Sequence, residues 1–271
     1  MSTCTIESAD DPRLAEFRDF RDPIARRRQG LFAVEGLACV RILLARARFR
    51  PHSLLATPSA LRALAPLLGA IASDVPVYQA AREVTVQVAG VRFHQGCLAL
   101  VQRPPDAPAH SLFEVPGARL LLFVEDVTDP DNIGGLFRSA AAFGVDGVVL
   151  SPRAADPLYR KAIRTSLGAS LWLPFARSGD WEGDLERARA AGWTRVALTP
   201  DPDAEEISSL GDVAPLALIA GNEGSGLRPS TLESAERRAR IAMVPGADSL
   251  NVATAVAIAL HRIRSDLAVS E

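Results

Sequence analysis

From residue 119 onward the chain alternates short, wholly apolar runs with longer segments whose apolar positions recur every three to four residues. The runs "RLLLFVED" (119–126), "VDGVVLS" (145–151), "LWLPFA" (171–176), "TRVALTP" (194–200), "PLALIAG" (215–221) and "RIAMVP" (240–245) predict strands. A strand apolar at every position is one buried on both faces, as in a parallel sheet. Between them, 131–144, 155–169 and 180–192 predict helices, the first and last stopping at Gly144 and Gly192. A long alanine-rich helix from about 249 to 267 closes the pattern. Strands alternating with helices imply an α/β fold with a mostly parallel sheet covered on both faces.

The region before residue 102 repeats the strand–helix rhythm on a smaller scale. "LFAVEGLACVRILLARA" (31–47) and "HSLLATPSALRALAPLL" (52–68) each read as a strand followed by a helix. "DVPVYQA" (74–80) and "CLALVQR" (97–103) are further strands, and 81–89 reads as a helix or a strand. Between the two regions, "QRPPDAPAHSLFEVPGAR" has four prolines and little apolar periodicity, which marks a linker. The expected division is residues 1–102, a linker at 103–118, and 119–271.

Composition adds two points. Hydrophobic residues make up 48% of the 271, enough for a sizeable core. The formal net charge is −2, yet Arg13 to Arg50 contains ten arginines against four acids. A basic region in a near-neutral chain suggests a local anionic partner, nucleic acid first, with a solvated helix face as the alternative. If nucleic acid is that partner, Arg26, Arg27, Arg28, Arg41, Arg46, Arg48 and Arg50 are the candidate phosphate contacts. Cys4, Cys39 and Cys97 are odd in number and far apart, which fits a reducing cytosol better than a disulfide framework. His52, His94, His110 and His261 are scattered without ligand spacing, so no metal is expected. The acidic opening "MSTCTIESADDPR" is no signal peptide, and no apolar run approaches membrane-spanning length.

In open parallel sheets, ligands bind beyond the carboxyl ends of strands. Three such ends carry unusual loops here. In "VEDVTDPDNIGGLFRSA" (124–140), Asn132 can cap the following helix and Arg138 lies within two turns of its start. In "LALIAGNEGSGLRPS" (216–230), three glycines fall within the six residues after a buried strand, with Glu223 as the loop's one charge. The glycine order is not that of a dinucleotide fingerprint, and no lysine follows it as in a phosphate loop. In "IAMVPGADSLNVATAVAIALHRIR" (241–264), Ser249 is placed to cap the last helix. Asn251 would then sit in the first helical turn, where capping does not require it.

Together the three loops resemble the motifs of the SpoU (TrmH-type) methyltransferases of the SPOUT superfamily. The matching residues are Asn132 with Arg138 six positions on, Gly221 to Leu227 as G-N-E-G-x-G-L after a strand, and Ser249-Leu250-Asn251 before a long helix. "YRKAIRTSLGASLWLPF" resembles the family's segment between the first two motifs. "GLFAVEG" and "HQGCLALV" fit, more loosely, the family's N-terminal ribosomal-protein-like RNA-binding domain.

The resemblance implies a C-terminal α/β domain with a deep trefoil knot. It also implies S-adenosyl-L-methionine as cofactor, a ribose 2′-hydroxyl of rRNA or tRNA as methyl acceptor, and a cytoplasmic homodimer joined through the last helix. By the same carry-over, Asn132, Arg138, Glu223, Ser249 and Asn251 are the catalytic candidates. Thr199, Gly221, Asn222, Gly224, Gly226, Ile241, Leu250 and Asn251 would hold the cofactor. Three alternatives stay open: a non-catalytic RNA-binding relative, a resistance enzyme of the same chemistry, and a relative that methylates a base.

Overall fold

The structure is a computed structural model, and it describes residues 3–19, 30–46, 48–89, 96–244, 246 and 248–269. The chain divides into two compact units. Met1–Pro105 and Leu158–Trp172 form the first, and Asp106–Pro157 and Leu173–Glu271 form the second.

The first unit is built on a five-stranded mixed sheet of β1 (Thr3–Ile6), β2 (Leu31–Glu35), β3 (Pro51–Ala56), β4 (Val77–Ala80) and β5 (Cys97–Gln102), in the order β1-β4-β3-β5-β2. Parallel pairing joins β4 to β1 and β3, whereas β5 is antiparallel to β2 and β3. Its helices are α1 (Ala15–Asp19), α2 (Leu37–Arg46), α3 (Pro58–Leu64) and α4 (Arg82–Ala89). Residues 81–89, open between helix and strand in the sequence, are thus helical. Val84, Thr85, Val88 and Ala89 turn inward at helical spacing. Strand β1 was not expected, because Cys4 and Ile6 alone gave its acidic surroundings too weak an apolar signal. Cys39 and Cys97 are buried here; burial raises both thiols, Cys97 to about 12, so they stay protonated.

The second unit holds a seven-stranded sheet. Its strands are β6 (Leu120–Val124), β7 (Gly147–Leu150), β8 (Phe175–Arg177), β9 (Thr194–Leu198), β10 (Glu205–Glu206), β11 (Leu216–Ala220) and β12 (Arg237–Arg240). All run parallel, in the order β10-β12-β9-β11-β6-β7-β8. The central strands β6 and β11 are buried at every residue, as their unbroken apolar sequences required. Helices α5 (Pro130–Ala142), α7 (Trp181–Ala190), α8 (Pro229–Ser234) and α9 (Val252–Val269) complete this unit. One core cluster gathers Phe123, Val149, Trp181, Leu185, Trp193 and Ile219.

Several expectations shift. The helix expected over 155–169 shrinks to α6 (Arg160–Thr165), which groups with the first unit. Of the stretch expected as a linker, Ala109, Leu112 and Phe113 are buried in the second core, and Trp193 Nε1 donates to the Phe113 carbonyl at 3.2 Å. The strand expected at 240–245 lies earlier, at Arg237–Arg240. Its arginines are matched across the edge: Arg237 pairs with Glu205 and Arg240 with Glu206. The apolar residues Ile241 and Met243 lie beyond the strand and line a cavity.

Among the described residues no helix is long and apolar enough to cross a membrane, and no group of three or more His, Cys, Asp or Glu gathers as a metal site.

Candidate functional site

The carboxyl ends of β6, β9 and β11 and the segment entering α9 converge in the second unit. The α5 helix starts one step earlier than its sequence suggested. Asp129 is the N-cap, its Oδ1 accepting from the Asp131 amide at 2.9 Å, with Pro130 in the first helical position. Asn132 therefore does not cap the helix. Its side-chain amide is free to donate to Glu223 Oε1.

A parallel correction holds at α9. Asn251, not Ser249, caps the helix: its Oδ1 accepts from the amides of Ala253 at 3.0 Å and Thr254 at 3.3 Å. Its Nδ2 donates to Asn132 Oδ1 at 2.8 Å. One amide thus both ends a helix and reaches the first loop, and that double demand selects asparagine. Ser249 is exposed and makes no hydrogen bond with any described residue.

Asn222 organises the glycine loop. Its Oδ1 accepts from the amides of Gly224 at 2.9 Å and Ser225 at 3.1 Å, while the Gly226 amide returns to the Asn222 carbonyl at 2.9 Å. Its Nδ2 donates to the Asp126 carbonyl at 2.9 Å. Asp126 adopts a left-handed φ of 54°, which aims that carbonyl. The Asp126 carboxylate is held by Arg153 and by Ser151 Oγ at 2.7 Å, and the Arg153 hydrogen bond keeps it below the usual carboxylate pKa. Gly221 is demanded by space. A Cβ there would lie 2.5 Å from the Gly226 carbonyl carbon and 2.6 Å from the Leu227 nitrogen. Gly226, by contrast, is demanded by its φ of 68°.

The far end of the loop is tied to Glu125, which is fully buried. Glu125 accepts from Arg228 Nε and from Thr231 Oγ1 at 3.0 Å. Thr231 accepts in turn from Trp181 Nε1 at 3.3 Å. Sequence reasoning missed Glu125 and Asp126 as supports. Only their place at the end of a buried strand, next to the first loop, could have flagged them.

These elements enclose a cavity of about 470 Å³. Of the expected cofactor residues, Thr199, Gly221, Asn222, Gly224, Gly226, Ile241 and Leu250 line it, and Asn251 does not. Among the catalytic candidates Glu223 and Ser249 line it. Asn132 reaches it through Glu223. Arg138 is exposed on α5, outside the lining, and its side chain makes no hydrogen bond or ion pair with a described residue. Among the described residues the lining carries two carboxylates, Glu223 and Asp248, and no lysine, arginine or histidine. Leu198, Leu227, Ile241, Met243 and Val252 supply apolar wall. A cavity of this kind suits a cationic ligand with a flat apolar part. It disfavours a polyphosphate, for which it offers no positive charge. Asp248 was not singled out in the sequence.

Of the candidate RNA contacts, Arg41 is exposed on α2 and donates to the Ala63 carbonyl at 3.0 Å, whereas Arg26, Arg27 and Arg28 lie outside the described residues.

Residues 119–261 match the family model described as the SpoU rRNA methylase family. The chain is 38% identical to an uncharacterized tRNA/rRNA methyltransferase of Mycobacterium bovis, over 94% of this chain and 90% of that protein. Among solved structures, an AdoMet-bound rRNA methyltransferase from Sinorhizobium meliloti superposes with a TM-score of 0.82 at 24% identity, covering 98% of each chain. The SpoU methyltransferase AviRb from Streptomyces viridochromogenes gives 0.80 at 24% identity, over 96% of this chain and 98% of that one. At such identity the structural likeness speaks to the fold.

Proposed function

The chain belongs to the SpoU rRNA methylase family, and on that footing we propose that it methylates a ribose 2′-hydroxyl of ribosomal or transfer RNA. The cofactor is S-adenosyl-L-methionine. One observation carries the reading: among the described residues the cavity at the three loops is lined by two carboxylates and no cation. A ligand bearing a sulfonium and an ammonium is matched there in charge, and its adenine is matched by the apolar wall.

When bound, S-adenosyl-L-methionine supplies a methyl carbon on a positively charged sulfur that leaves as a neutral thioether. The chain's own residues do the rest. The glycine loop at Gly221, Gly224 and Gly226, its Gly224 and Gly226 amides committed to Asn222, packs with Thr199, Ile241 and Leu250 against the adenosine part. Asp248 and Glu223 favour its positive groups. Asn132, fixed between Glu223 and Asn251, sets the position of Glu223. Arg138 presents a guanidinium, a cationic fork of donors rather than a base. It therefore grips the phosphate beside the target ribose and favours the oxyanion as the hydroxyl passes its proton to solvent. Alignment of oxygen, carbon and sulfur supplies the remainder of the rate.

We further propose a knotted C-terminal crossing, a homodimer through α9 and cytoplasmic work on RNA. Ile258, 41% exposed on α9, supports a contact along that helix. The first unit would carry the RNA, with Arg26, Arg27, Arg28 and Arg41 on its phosphates.

The test is transfer of a labelled methyl group from S-adenosyl-L-methionine to ribosomal and transfer RNA from cells lacking the gene. Incorporation supports the reading. Tight cofactor binding with no incorporation into either RNA would favour a binding-only relative.

A further inference from the structure

Two stretches of the first unit carry cations and no acid. Residues 37–50, which include α2, hold Arg41, Arg46, Arg48 and Arg50; residues 158–172, which include α6, hold Arg160, Lys161 and Arg164. Neither contains Asp or Glu, in a chain whose formal net charge is −2. Such local segregation is not what a merely solvated surface requires.

Specific contacts bring the two stretches together. Cys39 Sγ lies 3.9 Å from the Ile163 carbonyl. Gly168 sits so close to α2 that a Cβ would lie 3.1 Å from Ile42 Cδ1. The Arg46 guanidinium lies 4.1 Å over the Trp172 ring, a cation–π contact that holds its plane in place. Arg160 is tied to Glu35 at the end of β2.

What remains faces outward. Lys161 and Arg164 are exposed, and the Arg164 side chain makes no hydrogen bond or ion pair with a described residue. Beside them Tyr159 is 39% exposed and Leu167 51%. Leu167 has a φ of 51°, a left-handed conformation that is unfavourable for a leucine. The turn is closed by Gly168, whose amide donates to the Ile163 carbonyl at 2.9 Å. An apolar side chain held outward in a costly conformation, between cations and an aromatic ring, points to a ligand surface.

We propose that α6 and its flanks, laid against α2, form an RNA-docking face of the first unit. In it Lys161 and Arg164 contact phosphates, and Tyr159 and Leu167 lie against unpaired bases. The proposal rests on the reading of the chain as an RNA methyltransferase, and extends it to residues outside the three loops and outside the arginine cluster at 26–28. RNA fits this face better than an acidic protein does. Regularly spaced phosphates match scattered single cations, and bases present flat faces to an exposed tyrosine.

The test compares the wild-type protein with Lys161→Glu/Arg164→Glu and with the milder Lys161→Gln/Arg164→Gln. Binding of deproteinised ribosomal RNA and of transfer RNA is measured across a series of salt concentrations. Cofactor affinity and the melting curve are recorded for each protein. The charge reversal is expected to weaken RNA binding at least tenfold, and each variant to lower the salt slope by about 0.7–0.9 per lost phosphate contact. Cofactor affinity should stay within twofold. Unchanged RNA affinity and salt slope in folded variants would overturn the proposal and leave the face to another partner. A wild-type protein that neither binds nor methylates RNA would instead refute the underlying activity.

Discussion

The Asn251 side chain donates to Asn132 Oδ1 at 2.8 Å while its own Oδ1 caps α9. A helix start and a loop separated by 119 residues in sequence are thereby held by one amide. Replacing Asn251 by Ala should cost about 1 kcal/mol of stability through the lost cap. Methyl transfer should fall further than that cost explains, because Asn132 and Glu223 lose their anchor. Asn251→Asp keeps the capping oxygen but cannot donate to Asn132. It should restore the melting temperature and leave turnover low, and recovery of both would show that Asn251 acts only as a cap.

Gly221 and Gly226 should respond differently to alanine. At Gly221 the new methyl meets main-chain atoms at 2.5 to 2.6 Å, and main chain cannot swing aside. Overpacking of this sort costs about 1–3 kcal/mol and would displace the loop that lines the cavity. At Gly226 no atom lies within 4 Å, and only the left-handed φ resists, at about 1–2 kcal/mol. Calorimetric titration with S-adenosyl-L-methionine should show binding lost in Gly221→Ala and only weakened in Gly226→Ala.

Asp248 lines the cavity as a carboxylate. Asp248→Asn should weaken S-adenosyl-L-methionine more than S-adenosylhomocysteine, because only the former carries the sulfonium charge. An equal loss for both would move Asp248 away from the sulfur and toward a group they share. Asp248→Ala separates charge from hydrogen bonding in the same assay.

Acid should loosen the first loop through Asp126. Arg153 and Ser151 hold its folded pKa below the unfolded value, so its contribution is present above the ordinary carboxylate pKa of about 4 and is lost as pH falls through the lower folded value. Asp126→Asn lacks that contribution. The stability gap between wild type and Asp126→Asn should therefore be constant near neutrality and narrow below about pH 4. A gap independent of pH down to 2 would show that the carboxylate charge does not matter there.

The sheet of the second unit was readable because β6, β7, β9 and β11 are short apolar runs bounded by turn residues. The three loops were readable because their asparagines and glycines fall at strand ends. What stayed hidden depends on pairing across the fold. β12 reads as Arg237-Arg238-Ala239-Arg240 and becomes a strand because Glu205 and Glu206 lie opposite. Ser249 looked like the cap because serine suits that place. Asn251 takes it because Asn132 stands within reach. Glu125 gave no local sign, since its partners Arg228 and Thr231 come from more than 100 residues away.

The central claim is ribose methylation with the cofactor in the cavity of the three loops. RNA labelled by the wild-type protein and by Arg138→Ala would be digested with alkali, which cleaves only next to a free 2′-hydroxyl. The account predicts label in alkali-resistant dinucleotides from the wild type and at least a hundredfold less from Arg138→Ala. Label recovered in mononucleotides would place the methyl group on a base and contradict it.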